Sequence, residues 1–295
     1  MSSPHLPLRH LLLAVAVVAV WGTNFVVIKQ ALLHLPPILF AALRFALAFL
    51  PAALFLPRPA VSWRNLAQYG LLIGVGEFGL LFLAMHGHIS PGLASLVIQV
   101  QVFFTIFLSM RLNGERVRPM QWLALSVASA GLIVIATHTD GSTTPCGLLL
   151  VVAAAACWAG GNMVNRHAGQ VNMVAYVVWS SAFAVPPLFL LSLMFEGWPA
   201  ISTGIVNADA DTWAAVLWQT IANSLFGYAA WGWLLGRYPA ATVSPMALLV
   251  PVFGMAASAL WLGEPMPAWK MIAMALVMTG LALNMWRGKT PTSAR

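Results

Sequence analysis

Runs of about 20 apolar residues recur ten times along this chain, and that repetition leaves few folds open. They fall near 9–29, 37–56, 66–86, 92–111, 120–137, 146–165, 174–195, 212–234, 241–262 and 269–286. At ~1.5 Å of rise per residue, each run is long enough as a helix to cross a ~30 Å hydrocarbon layer. Turn and charge signals separate them: Leu35-Pro36-Pro37, Leu56-Pro57-Arg58-Pro59, Asn113-Gly114-Glu115-Arg116, Thr139-Asp140-Gly141-Ser142 and Gly263-Glu264-Pro265. Only 7% of residues are charged, and the mean hydropathy is +0.87. A soluble domain carries roughly a quarter charged residues, so this chain cannot clothe a water-facing surface. The pattern predicts an all-α membrane protein with ten transmembrane helices. Net charge is +7, but the basic residues stand singly or in pairs between apolar runs, with no basic stripe interleaved with aromatics. That placement argues for membrane topology and against nucleic acid as a partner.

Arg9 and His10 precede the first apolar run as in a signal peptide, yet the run continues through Trp21 to Lys29 without a small-residue cleavage site. It is expected to be a retained helix. Only Glu196 to Asp211 reads as a substantial loop, and no segment is long enough for a soluble ATPase, kinase or sensor module. With a cytoplasmic N-terminus, the cytoplasmic side holds Arg9, Arg58, Arg64, Arg111, Arg116, Arg118, Arg166, Arg237, Arg287, Lys289 and Arg295. The other side holds Lys29 and Lys270, and Arg44 lies within a span. This 11-to-2 split predicts that both termini are cytoplasmic.

Spans three to five align with spans eight to ten at an offset of about 149 residues: Gly87-His88 with Gly236-Arg237, Ser95 with Ser244, Gly114-Glu115 with Gly263-Glu264, Gly131-Leu132 with Gly280-Leu281. The first spans of each half align at another offset, Trp21 with Trp158 and Lys29 with Arg166. The expected organisation is a first five-helix repeat over 1–138, a second over 146–287, and a cytoplasmic tail over 288–295. Five spans per half is odd, so the halves enter the membrane in opposite orientation, the construction that lets a central site open to either face.

Polar residues inside spans are the candidates for a pathway, because hydrocarbon penalises them. Glu77 lies mid-span. Counted from the outer ends of their helices, Arg44 and Glu77 differ in depth by only ~3 Å. Glu77 either faces a cavity and takes up a proton or a substrate ammonium, or it pairs structurally with Arg44. Ser95 and Gln99 share one helix face and Gln101 and Thr105 another. Gln219 and Asn223 repeat that spacing ahead of Tyr228 and Trp231, while Trp21, Asn24, Trp158 and Asn162 come from the mated first helices. Together they would line a central cavity suited to a small zwitterion, and each serves equally as interhelical glue. Pro245 and Pro251 permit a kink in the ninth span, and Gly70-x-x-x-Gly74 and Gly232-x-x-x-Gly236 allow close helix approach. His86 and His88 lack a third or fourth ligand nearby, so no metal is expected. Cys146 and Cys157 lie ~16 Å apart on one helix, too far for a disulfide, and read as small packing residues. No catalytic constellation and no cofactor motif is present.

Val20-Trp21-Gly22-Thr23-Asn24-Phe25, Ala42-Leu43-Arg44-Phe45, Gly92-Leu93-Ala94-Ser95-Leu96 and Gly114-Glu115 resemble the recurrent pattern of EamA-type transporters in the drug/metabolite transporter superfamily. Within it, Gly227-Tyr228, Trp231-Gly232, Leu234-Leu235-Gly236-Arg237-Tyr238 and Leu248-Leu249-Val250-Pro251-Val252 are similar to the O-acetylserine/cysteine exporters. The resemblance spans the whole chain and implies a five-plus-five inverted repeat in a bacterial inner membrane. It implies a secondary transporter that exports small amino acids or related metabolites by alternating access. A broader drug or metabolite exporter is the alternative within the class, and a membrane-embedded enzyme the alternative outside it. Implied partners are the small-molecule substrate, protons and lipids, with a monomer as the default. The likeness departs at Glu77, where the exporters carry an uncharged amide; an acid there implies altered coupling or cargo.

Overall fold

In a computed structural model, residues 7–113, 119–138, 143–169, 171–238, 243, 246–247 and 249–285 are described. Regular structure among them is entirely helical: α1 Leu8–Ala31, α2 Pro37–Phe49, α3 Trp63–Met85, α4 91–113, α5 Pro119–Thr137, α6 Pro145–Ala168, α7 Met173–Phe195, α8 Gly197–Asn207, α9 210–237, α10 Leu249–Leu262 and α11 Ala268–Met285. Six helices are long and apolar enough to cross a membrane, and shorter apolar helices cover Trp122–Thr137, Leu249–Leu262 and Ala268–Leu283. Leu54, Phe55, Val206 and Leu260 are each more than 80% exposed, an outward apolar surface that lipid solvates and water does not.

Local chemistry sets the helix starts. Proline opens α2, α4 and α6, where its missing N–H breaks no helical bond. Ser62 caps α3 by accepting from the Asn65 N–H at 3.2 Å, and the Asn172 side chain caps α7 by accepting from the Val174 and Ala175 N–H groups. Two helices loosen into π-turns midway: α3 over Leu71–Gly79 and α9 over Gln219–Phe226.

The helices alternate between two ends of the bundle. One end gathers residues 10, 58–68, 164–168 and 233–238; the other gathers 32–39, 86–92, 143–147, 196–212 and 258–270. α1 packs on α10 and α9, α6 packs on α4 and α3, α2 pairs with α7, α4 with α10, and α5 with α11. The Gly70/Gly74 pair makes the expected close approach, to α7: a Cβ on Gly70 would sit 2.1 Å from the Ser180 carbonyl oxygen.

Two expectations need correction. The stretch 196–211 is not simply a loop, because Gly197 takes φ +76, turns the chain, and starts α8, which buries Ile201 and sets Gly204 against His34 and Pro36. Pro186 and Pro187 lie inside α7, and Pro251 is the third residue of α10, whose preceding residue 248 is outside the described ones. Cys157 packs against Gly76, but Cys146 is exposed. Gly114, Glu115, Ser244, Pro245 and the 288–295 tail lie outside the described residues.

Candidate functional site

Four helices converge on a small cavity lined by Arg44 of α2, Tyr69 and Gly70 of α3, Ser180 and Ser181 of α7, and Tyr228 of α9. Arg44 lies seven residues into α2, ~10 Å below its start. It is 1% exposed. Its Nη2 donates to the Ser224 hydroxyl at 2.8 Å, and its guanidinium carbon stands 3.5 Å from the centre of the Phe78 ring. Nε and Nη1 have no partner. Each unmet buried donor costs about 1–3 kcal/mol, more for a charged group.

Ser224 is fixed in turn, donating to the Gln219 carbonyl at 2.9 Å within the π-turn of α9. The same turn aims Thr220 at the Arg44 carbonyl, 3.4 Å away, and the Asn223 amide donates to the Gln219 side chain at 3.3 Å. Beyond it stands an aromatic wall. The Trp21 indole donates to the Asn223 carbonyl at 3.2 Å, with its ring 5.9 Å from Tyr228 and 5.3 Å from Trp231. Gly227 makes room for that indole, since a Cβ there would meet the Trp21 nitrogen at 2.4 Å. Asn24, one turn along α1 from Trp21, is buried with its side-chain oxygen unpartnered.

Glu77 is 4% exposed in the π-turn of α3, with one carboxylate oxygen unpartnered. Among the described residues no ion pair joins it to Arg44. Phe78 takes the place beside the guanidinium, while Glu77 stays within electrostatic reach of Arg44, Tyr69 and Tyr228. Equal depth brings the two within electrostatic reach of each other without an ion pair.

Gln99, Gln101, Trp158 and Asn162 are not among the residues that line this cavity. Gln99 donates to the Ala247 carbonyl at 3.3 Å. Asn162 of α6 donates to Gln101 and Thr105 of α4 at 3.1 and 3.4 Å, closing a polar network between two helices. Trp158 is half-buried against the apolar core. Tyr69, Ser180, Ser181 and Ser224 belong to the cavity region without having been anticipated. The Ser180-Ser181 pair inside an apolar span was the available signal.

At the end holding residues 258–270, Glu264 follows Gly263, whose φ of +63 terminates α10. Its carboxylate reaches the start of α4, accepting from the Gly92 N–H at 3.1 Å and from the Ser90 hydroxyl. It also accepts from Ser258 and from the buried Lys270 ammonium at 2.8 Å. Burial pushes this carboxyl up, but the bonds from Lys270, Ser258 and Ser90 outweigh burial and hold it below its ordinary value. At the same end Glu196 caps α2, accepting from Ile38 and Leu39 N–H at 2.6 and 3.0 Å. Both carboxylates, from the C-terminal half, grip helix starts in the N-terminal half.

A model of the EamA-like transporter family matches the chain twice, over residues 8–137 and 145–286. A Salmonella typhimurium protein named "Probable amino-acid metabolite efflux pump" is 39% identical over 289 residues, covering 96% of this chain and 97% of its own. An Escherichia coli K12 protein of the same name is 39% identical over 280 residues, covering 93% and 94%. A solved crystal structure at 20% identity superposes with a TM-score of 0.63 over 93% of this chain and 96% of that one, a likeness of fold.

Proposed function

The chain belongs to the EamA-like transporter family, and from that premise we propose that it exports small amino acids or related metabolites, cysteine- or O-acetylserine-like, across a bacterial inner membrane by alternating access. The cavity carries this reading: a buried, under-bonded cation flanked by hydroxyls and aromatics, at the meeting point of helices from both halves. The pocket is small, about 10 Å³, and mostly apolar with a few polar groups, so it must widen to admit a metabolite. The relatives named as amino-acid metabolite efflux pumps favour the same cargo class.

The transport cycle rests on ten spans arranged as two inverted repeats, 1–138 and 146–287, with both termini and the 288–295 tail cytoplasmic. Three observations support the repeat. One family model fits each half separately. The two π-turns fall at matching positions, since Leu71 plus 149 is Thr220. Exchanging the halves also maps the α1 contacts with α10 and α9 onto the α6 contacts with α4 and α3. Alternating access then exchanges which end is tied shut. Glu196 and Glu264 tie the two halves at the end opposite the N-terminus, and outward opening must release them. Glu77, with an unmet carboxylate oxygen inside the bundle, is the group assigned to proton coupling.

Purified protein in proteoliposomes tests the reading by counterflow of labelled cysteine or O-acetylserine against a panel of amino acids. Saturable, competable flux is expected. Folded protein that carries no amino acid would refute the cargo.

A further inference from the structure

Arg44 is the only arginine among the described residues that is buried, and its bonding is incomplete. A guanidinium offers five N–H donors in a planar fork. Here one group, Nη2, reaches Ser224, while Nε and Nη1, which carry three of the five donors, meet no acceptor. No carboxylate neutralises the charge within ion-pair distance among the described residues. The aromatic faces of Phe78 and Phe45, 3.5 and 4.9 Å from the guanidinium carbon, hold it in place without using its N–H groups. Glu77, Tyr228 and Tyr69 act on the guanidinium electrostatically without bonding to it, so Ser224 and the two rings orient the fork and Nε and Nη1 stay unbonded.

The cavity beside the fork is water-sized, about 10 Å³, and must widen to admit a carboxylate, whose donors there are the fork's own N–H groups and the Tyr69 and Tyr228 hydroxyls. Ser180 and Ser181 spend their protons on backbone carbonyls of α7, at 2.7 Å to Tyr176 and 2.7 Å to Val177. Their hydroxyls are therefore committed as donors. Tyr228 and Tyr69 supply the remaining polar edges of the lining. Gly70 and Gly74 let α3 close onto α7 beside this cavity, since a Cβ on them would meet the Ser180 carbonyl oxygen at 2.1 Å and the Ala184 Cβ at 2.3 Å. A planar anion with two oxygens satisfies a guanidinium fork better than a neutral amide or hydroxyl, because charge-assisted, paired bonds are about twice as strong.

We infer that Arg44 is the receptor for the substrate's carboxylate, so that the carrier selects amino acids and other small carboxylates over their uncharged esters and decarboxylated amines. This inference rests on the export reading above and names the chemical group by which its cargo is recognised. Ser224 positions the fork, and Phe78 shields it from water and lipid.

The test is competition against counterflow of labelled cysteine in proteoliposomes, using unlabelled cysteine, its methyl ester and cysteamine on the unaltered protein. The free acid is expected to compete on the order of 100-fold better than the ester or the amine, the discrimination a site shows when its buried donors are left unpaired. In Arg44→Gln that gap should collapse to within about threefold. In Arg44→Lys, which keeps the charge but not the fork, half-saturation for cysteine should rise by about tenfold. Size-exclusion profile and melting temperature establish that the variants are folded; the analogue comparison needs no variant. Equal competition by acid and ester would overturn the inference and leave the exporter standing. A gap that persists in folded Arg44→Gln would also overturn it. Absence of saturable flux for every amino acid would refute the export reading and this inference together.

Discussion

Lys270 is fully buried with Glu264 as its counter-charge at 2.8 Å, and breaking that pair should cost more than removing it. Glu264→Gln keeps the shape and one acceptor oxygen but strands a buried ammonium, a change worth about 3–5 kcal/mol. Lys270→Met removes one of the four bonds to the carboxylate and leaves those from Ser90, Gly92 and Ser258. Losing one bond to a charged group costs about 1.5–3 kcal/mol. Independent effects would sum to about 4.5–8 kcal/mol. Because the stranded charge is absent from the double variant, Glu264→Gln with Lys270→Met should be no less stable than Glu264→Gln alone. Equilibrium unfolding in mixed detergent micelles gives the full cycle. Additivity within about 0.5 kcal/mol would refute the coupling. The pH dependence has a definite sign. A carboxyl held below its ordinary value in the folded state adds stability that is complete above that value and is lost as the pH falls through the folded one. The penalty of Glu264→Gln should therefore be full near neutrality and shrink once the pH drops below about 4.

Gly70→Ala should destabilise the protein by about 1–3 kcal/mol or prevent folding, since the new Cβ meets the Ser180 carbonyl oxygen at 2.1 Å and backbone cannot step aside. Gly79→Ala on the same helix, with Leu188 at 3.5 Å, should be neutral or stabilising, and the two melting temperatures check the contrast. Glu196→Ala should cost about 0.5–2 kcal/mol by uncapping α2, and Glu196→Gln less, because one acceptor for Ile38 and Leu39 survives. In Glu77→Gln, counterflow should persist while transport driven by a pH gradient disappears; a retained pH-gradient response in proteoliposomes would remove Glu77 from coupling.

The helical class was legible because span length and apolar content follow from bilayer thickness, a constraint each segment meets alone. Gly70 and Gly74 announced a close approach for the same reason, although which helix they meet is decided by the fold. Arg44 and Glu77 show where reading along the chain ends. Axial depth can be counted from helix ends, but azimuth depends on the turn geometry, and α3 and α9 change theirs through π-turns that no residue pattern marked. A π-turn shifts every later side chain around the axis, so periodicity counted at 3.6 residues misplaces neighbours beyond it. The candidates that failed to reach the cavity, Gln101 and Asn162, are polar residues whose hydrogen bonds close on each other at 3.1 Å. Arg44 differs from them in a way only coordinates reveal. Its donors outnumber its partners, and in a medium that supplies no water an unmet buried donor is the reason to test Arg44 first for a role in binding.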